Sequence, residues 1–349
     1  MSPPYNSLSG QDLKAVAAVM ARAGVPLSGP LSSELIAGGR SNLTFRLGDG
    51  AKSWVLRMPP RAGRTPSAHD MAREYRITSA LMGTSVPVPP AVALCEDETL
   101  IGGHFAVSEF VPGKAIRSRA DLDAVDDAAL DAIARELVKV LASLHRVDRI
   151  AIGLERFGRP DGYAERQLSR WRRQWELVAA PETKHFGTEI AARLESALPP
   201  GQGATGIVHG DYRIDNTIIK PPSGTDEACI AAVVDWELST IGDPVADVAM
   251  MCAYREPEFD LVVGAPAAWT STRLPAAPEL ATMYEKMAGV RLQAWDFHLA
   301  LAYFKIAVIA AGIDYRFRVG AASGPGFDSA GSAVGPYLEL SLRALGPRR

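Results

Sequence analysis

Residues 43–58 hold two short runs rich in apolar strand formers, LTFRL and SWVLRM, separated by a polar turn bearing Asp49-Gly50. Two such runs joined by a turn pair predict an antiparallel hairpin. Upstream, SGQDLKAVAAVMARAG repeats its apolar residues at helical spacing, opens with Ser9 and Asp12 three positions apart, and stops at Gly24 with Pro26 beyond, so it predicts one capped helix. MAREYRITSALMG at 71–83 is helical again, VPVPPAVALC is extended, and GGHFAVSEFV at 102–111 is a further strand broken by Pro112-Gly113. From about residue 120 the pattern turns helical, in DDAALDAIARELVKVLASLH and in 163–180, while VGAASGPGFDSAGSAVGP at 319–336 predicts a flexible loop. The expectation is an α+β chain: a small lobe of antiparallel sheet and helix at 1–111, then a larger, mainly helical lobe at 112–349.

Composition narrows what such a chain does. Apolar residues make up 47% and charged residues 22% of 349 positions, the balance of a globular protein. A net charge of -3, from 37 basic and 40 acidic side chains, gives no electrostatic footprint for nucleic acid or a membrane surface. Cys95, Cys229 and Cys252 lack the paired spacing of a zinc site or a disulfide framework, and MSPPYNSLSG has neither the basic start nor the apolar core of a secretory signal, so a cytoplasmic setting is expected. LALAYFKIAVIAAGI at 299–313, interrupted by Lys305, reads as a buried helix shorter than a bilayer span.

The chemistry concentrates in IVHGDYRIDNTIIK at 207–220, where a His, two Asp and an Asn lie between runs of strand formers. Asp and Asn commonly serve turn geometry alone, and Asp215 is readily explained that way. Asp243, directly before Pro244, would cap a helix in any protein. Asn216 and Asp235 differ. They stand at the two ends of a predicted hairpin, TIIK to CIAAVV, which would bring two hard oxygen donors together, a set that suits magnesium with water and phosphate. Asp211, five residues before Asn216, would be near enough to take a proton from a hydroxyl.

HGDYRIDN followed by VVDWELSTIGDPVADVA resembles the aminoglycoside phosphotransferase and choline kinase family, which shares the protein-kinase-like two-lobed fold. The resemblance implies a catalytic base at Asp211, a phosphate contact at Arg213, magnesium ligands at Asn216 and Asp235, and structural roles for His209 and Asp247. In the first lobe it implies phosphate cover from Gly39 and Ser41, an Arg57–Glu74 ion pair with Arg57 where the family usually carries Lys, and an adenine-holding hinge in SEFVPG through Glu109 and Val111. The activity implied is transfer of the terminal phosphate of ATP, or GTP, with Mg2+, to a hydroxylated small molecule.

GGRSNLTFRL, WVLRMPP, FGRPDGYAERQLSRWRRQW and VVDWELSTIGDP further resemble phosphotransferase domains fused in some proteins to acyl-CoA dehydrogenases; no dehydrogenase part is recognised in these 349 residues. Arg166, Arg170, Arg172 and Arg173 with Trp171 and Trp175 could form a cationic wall near the acceptor, although a solvated helix face is the expected fate of most of them. Residues 255–349 hold nine acidic side chains against ten basic ones, together with Trp269, Trp295, Phe297, Tyr303, Phe304, Tyr315 and Phe317. A hydroxyacyl acceptor is therefore expected over a polycation. An aminoglycoside 3'-type phosphotransferase and a non-catalytic nucleotide-binding pseudokinase are the alternatives.

Overall fold

A computed structural model of the chain describes residues 7–37, 42–60, 70–201, 203–220, 228–321 and 326–347. It divides into two compact units, Met1–Gly113 with Ala231–Ser239, and Lys114–Ile230 with Thr240–Arg349.

The first unit contains α1 (Gly10–Arg22), β1 (Ser32–Ala37), β2 (Leu43–Gly48), β3 (Ser53–Met58), α2 (Met71–Leu81), β4 (Ala91–Cys95) and β5 (Phe105–Glu109). The Ser9 hydroxyl accepts from the Asp12 amide and the Asp12 carboxylate accepts from the Ser9 amide, so α1 begins at the capping box the sequence predicts. β2 and β3 pair antiparallel with Leu43 opposite Met58 and Leu47 opposite Trp54. Their alternate residues Phe45, Leu47, Trp54 and Leu56 are buried with Val16, Met20, Phe105 and Val107 in one core. The sheet order is β1-β2-β3-β5-β4. β1 has no counterpart in the sequence reading: Leu35 and Ile36 are both exposed on this edge strand, so SSELIA carries no alternation to detect.

The second unit contains α3 (Arg119–Asp123), α4 (Asp127–Arg146), α5 (Tyr163–Val178), α6 (Pro181–Ser196), β6 (Gly206–Val208) and β7 (Thr217–Lys220). β8 (Cys229–Val233), whose first two residues belong to this unit, pairs with β7. β9 (Thr240–Gly242) pairs antiparallel with β6 and leads into α7 (Pro244–Ala253), α8 (Phe259–Val263), α9 (Ala277–Ala288), α10 (Trp295–Arg318) and α11 (Gly331–Ala344). Asp243 caps α7 by accepting from the Val245 amide at 2.9 Å.

Two expectations are corrected here. The loop predicted for 319–336 ends before α11, because Ala333, Val334, Tyr337, Leu338 and Ser341 recur at helical spacing and are buried. α10 runs 24 residues, long and apolar enough by length and composition to cross a membrane; 72% of its apolar window is buried inside the protein.

α5 and α6 meet at Trp175, fully buried, whose indole N–H donates to the Lys184 carbonyl at 3.2 Å. A Cβ on Gly187 of α6 would lie 2.3 Å from the Trp175 ring. Alanine is the better helix former by about 1 kcal/mol, but forcing a methyl into a packed core costs about 1–3 kcal/mol. Gly187→Ala is therefore expected to lower the melting temperature; calorimetric melting that shows a rise would contradict this packing.

Candidate active site

Buried β6 delivers the chain to His209 and Gly210, and the first turn of α7 supplies Asp247 to meet it. Asp247 is 2% exposed and its carboxylate accepts the His209 amide at 2.6 Å and the Gly210 amide at 2.7 Å. Its other neighbour is His145 at the end of α4, whose Nε2 lies 3.3 Å away while Nδ1 faces the Tyr284 hydroxyl at 2.7 Å. Burial works to raise the Asp247 carboxyl, but His145 and the backbone donor of His209 outweigh it and hold the group below its ordinary value. In the sequence His145 stands only as a polar residue near the end of a helix-patterned run. No local pattern connects it to a carboxylate 102 residues away.

Gly210 takes φ of +86°, a left-handed turn that glycine adopts without a Cβ clash. The next residue is Asp211. Its amide donates to His209 Nδ1 at 3.3 Å, and its carbonyl and carboxylate accept from the Asn216 side-chain nitrogen at 2.8 and 3.0 Å. With that nitrogen committed to Asp211, the Asn216 carbonyl oxygen is the side-chain atom left to serve a cation. Arg213 pairs with Asp211 at 3.3 Å and Asp215 at 3.2 Å, and its guanidinium stands over the rings of Tyr254 and Phe259. Asp215 is thus more than a turn residue; burial pushes its carboxyl up despite Arg213. At Asp211 burial is outweighed by Arg213, the Tyr254 hydroxyl and Lys305, so its carboxyl stays below the ordinary value and ionised. Tyr254 and Lys305 escape sequence reasoning because they come from α7's end and mid-α10.

The first unit gathers a second charged set. Arg57, on β3, pairs with Glu74 of α2 at 3.1 Å and with Asp235 at 2.9 Å. Glu74, Asp235 and Glu237 each offer a carboxylate oxygen, all within 4.8 Å of one another. Burial lifts the Glu74 carboxyl to about 7 against the pull of Arg57, and burial lowers the Arg57 guanidinium less than Glu74 and Asp235 raise it. Glu74 Oε1 is buried without a hydrogen-bond partner among the described residues. Hard oxygens of this density fit a divalent cation such as magnesium. Asp235 reaches the cluster with φ of +65°, a left-handed backbone that costs a non-glycine residue about 1–2 kcal/mol.

Other sequence expectations divide. Gly39 and Ser41 lie outside the described residues. The Glu109 side chain is exposed and its amide donates to Pro90 at 2.8 Å, while Val111 is half-buried at the end of the same segment. The Arg-rich segment of α5 follows the solvated-face reading and not the cationic wall: Trp175 is core, Arg172 pairs outward with Glu195 at 3.0 Å, and Arg166 binds the carbonyls of Arg159 and Asp161. Of the aromatic residues expected to favour an apolar acceptor, Trp269, Phe297, Tyr303 and Phe304 are buried in the core, whereas Tyr315 and Phe317 are exposed.

An antiparallel sheet unit carrying an Arg57–Glu74 ion pair and a mainly helical unit carrying an Asp-x-x-x-x-Asn turn define a protein-kinase-like α+β phosphotransferase. Residues 32–290 match the Phosphotransferase enzyme family, and the chain belongs to it. Acyl-CoA dehydrogenase family member 11 of Gallus gallus is 36% identical over 321 residues, 90% of this chain but 40% of that protein's length. A crystal structure from Ralstonia eutropha, provisionally described as an aminoglycoside phosphotransferase, is 34% identical with a TM-score of 0.80, covering 95% of this chain and 97% of the other. Aminoglycoside phosphotransferase APH(4)-Ia, solved with AMP-PNP and hygromycin B, shares the fold at 16% identity and a TM-score of 0.61, covering 91% of this chain and 95% of its own.

Removing the Asp247 carboxylate would leave two backbone donors unmatched, the buried His209 amide at about 1–3 kcal/mol and the part-buried Gly210 amide at less. Asp247→Ala is therefore expected to lower the urea midpoint strongly at neutral pH. Because the folded-state value lies below the ordinary 3.8, the contribution is fully present above 3.8 and is lost as pH falls through the lower folded value. An unchanged midpoint at pH 7 would contradict the geometry.

Proposed function

We propose that this phosphotransferase moves the terminal phosphate of ATP, or GTP, to a hydroxyl of a small metabolite, with hydroxyacyl compounds as the acceptor class. The observation that carries the proposal is the Asp211 carboxylate, ionised and held by Asn216, Arg213 and the clamped turn before it. In this reading Asp211 accepts the proton of the attacking hydroxyl and orients its oxygen. Asn216 and Asp235 would hold magnesium, which when bound neutralises charge on the phosphates. Arg57, fixed by Glu74, would present its cation to the nucleotide phosphates, and Glu109 and Val111 would border the adenine. Arg213 would meet the transferring phosphate only by sharing a guanidinium already engaged by Asp211 and Asp215.

The acceptor class rests on charge. Ammonium groups left desolvated and unpaired cost several kcal/mol each, and residues 255–349 provide no acidic excess to match a polycation. A relative named for acyl-CoA carries this domain, which supports an acyl-bearing alcohol. Comparing kcat/KM across hydroxyacyl compounds, simple amino alcohols and aminoglycosides tests the class. Efficient phosphorylation of kanamycin-like substrates with none of the acyl alcohols would overturn it.

The roles separate by mutation. Asp211→Asn is expected to lower kcat by about 10²–10⁴ with the Mg-nucleotide Kd nearly unchanged; parallel loss of both would remove Asp211 from the chemistry. At Asp235 asparagine is the cleaner substitution, since it tolerates the left-handed backbone that alanine does not. Asp235→Asn is expected to weaken Mg-nucleotide binding in calorimetry, and unchanged affinity would exclude it as a ligand.

A further inference from the structure

Lys305 sits in the middle of α10 between Phe304 and Ile306, both fully or nearly fully buried. Lys305 itself is half-buried, and an ammonium drawn partly out of water is unfavourable unless it is matched, so its position calls for a use. Among the described residues Lys305 makes one hydrogen bond, from Nζ to the carbonyl oxygen of Gly210 at 3.1 Å. It also stands 5.6 Å over the ring of Trp171 on α5.

That bond acts on a particular peptide plane. The Gly210 carbonyl and the Asp211 amide belong to one rigid unit. Lys305 holds its oxygen edge, and His209 Nδ1 accepts from its nitrogen edge at 3.3 Å. Asp247 holds the preceding plane through the Gly210 amide at 2.7 Å. Glycine at φ +86° has broad conformational freedom, so the plane that aims the Asp211 side chain would turn readily unless gripped. The grip at its oxygen is a charge.

We infer that Lys305 is a positioning residue for Asp211: its ammonium fixes the Gly210–Asp211 peptide and thereby the direction of the Asp211 carboxylate. The catalytic meaning rests on the phosphotransfer reading above, but the clamp itself does not. It makes α10, the longest helix described, a support for the loop as well as a core element.

Hydrogen exchange by mass spectrometry on the full chain tests the clamp without any acceptor. In Lys305→Met, whose side chain suits an apolar helix, amides of residues 209–212 are expected to exchange about tenfold faster or more, matching the loss of a charge-assisted hydrogen bond, while those of 137–144 in α4 stay protected. Lys305→Arg should restore part of the protection. With Mg-ATP and water as acceptor, Lys305→Met should lower kcat and leave KM for ATP within about twofold, as loss of aim and not of binding requires. Unchanged exchange at 209–212, or an equal rise in 137–144, would overturn the clamp. A wild-type chain with no turnover of ATP either in water or with a mixture of hydroxylated metabolites would instead count against the phosphotransfer reading, and the exchange ratio would still decide the role of Lys305.

Discussion

The carboxylate of Asp247, buried and accepting two consecutive backbone amides, is the constraint on which the turn carrying Asp211 depends. A buried carboxylate is costly unless its lone pairs are filled, and here His209, Gly210 and His145 fill them. The cost of leaving any of these unmatched makes the turn single-valued. Asp211 follows from it by geometry: the left-handed glycine reverses the chain, Asn216 ties the far side of the turn back to Asp211, and Arg213 balances the charges. Local sequence supplies the turn; α4, α7 and α10 supply the groups that hold it.

The first unit solves a related problem differently. Arg57 is placed between Glu74 and Asp235 by a strand, a helix and a strained turn. The left-handed Asp235 stores about 1–2 kcal/mol, and ion pairing with Arg57 offsets it. Arginine is suited to this place because its planar fork reaches two carboxylates at once, which a lysine ammonium does less well. Arg57 is therefore coupled to the acidic cluster around it.

Much of this was legible in the sequence, and the reasons for the gaps are physical. The β2–β3 hairpin, the α1 cap and the Asp243 cap are local, so strand-forming runs, a turn pair and capping residues specify them. β1 was hidden because its apolar residues face outward, and α11 because Gly, Ser and Pro at its start mask a helical burial pattern. The Asp211–Asn216 spacing could be read from one motif, and the Arg57–Glu74 pair followed from the family resemblance. His145, Tyr254 and Lys305 could not, since each reaches the loop from a separate helix and only tertiary packing brings it there. Aromatic content misled for the opposite reason: most of those rings are core, and composition cannot distinguish a core ring from one lining an acceptor site.

The central claim is that the clamped Asp211 turn serves transfer of a phosphoryl group to an organic hydroxyl. The most direct measurement follows the label of [γ-32P]ATP in the presence of magnesium and a mixture of hydroxylated metabolites. The account predicts radioactivity in an organic phosphate ester with one ADP formed for each ester. Label that stays on ATP, or emerges only as inorganic phosphate whatever acceptor is present, would contradict it.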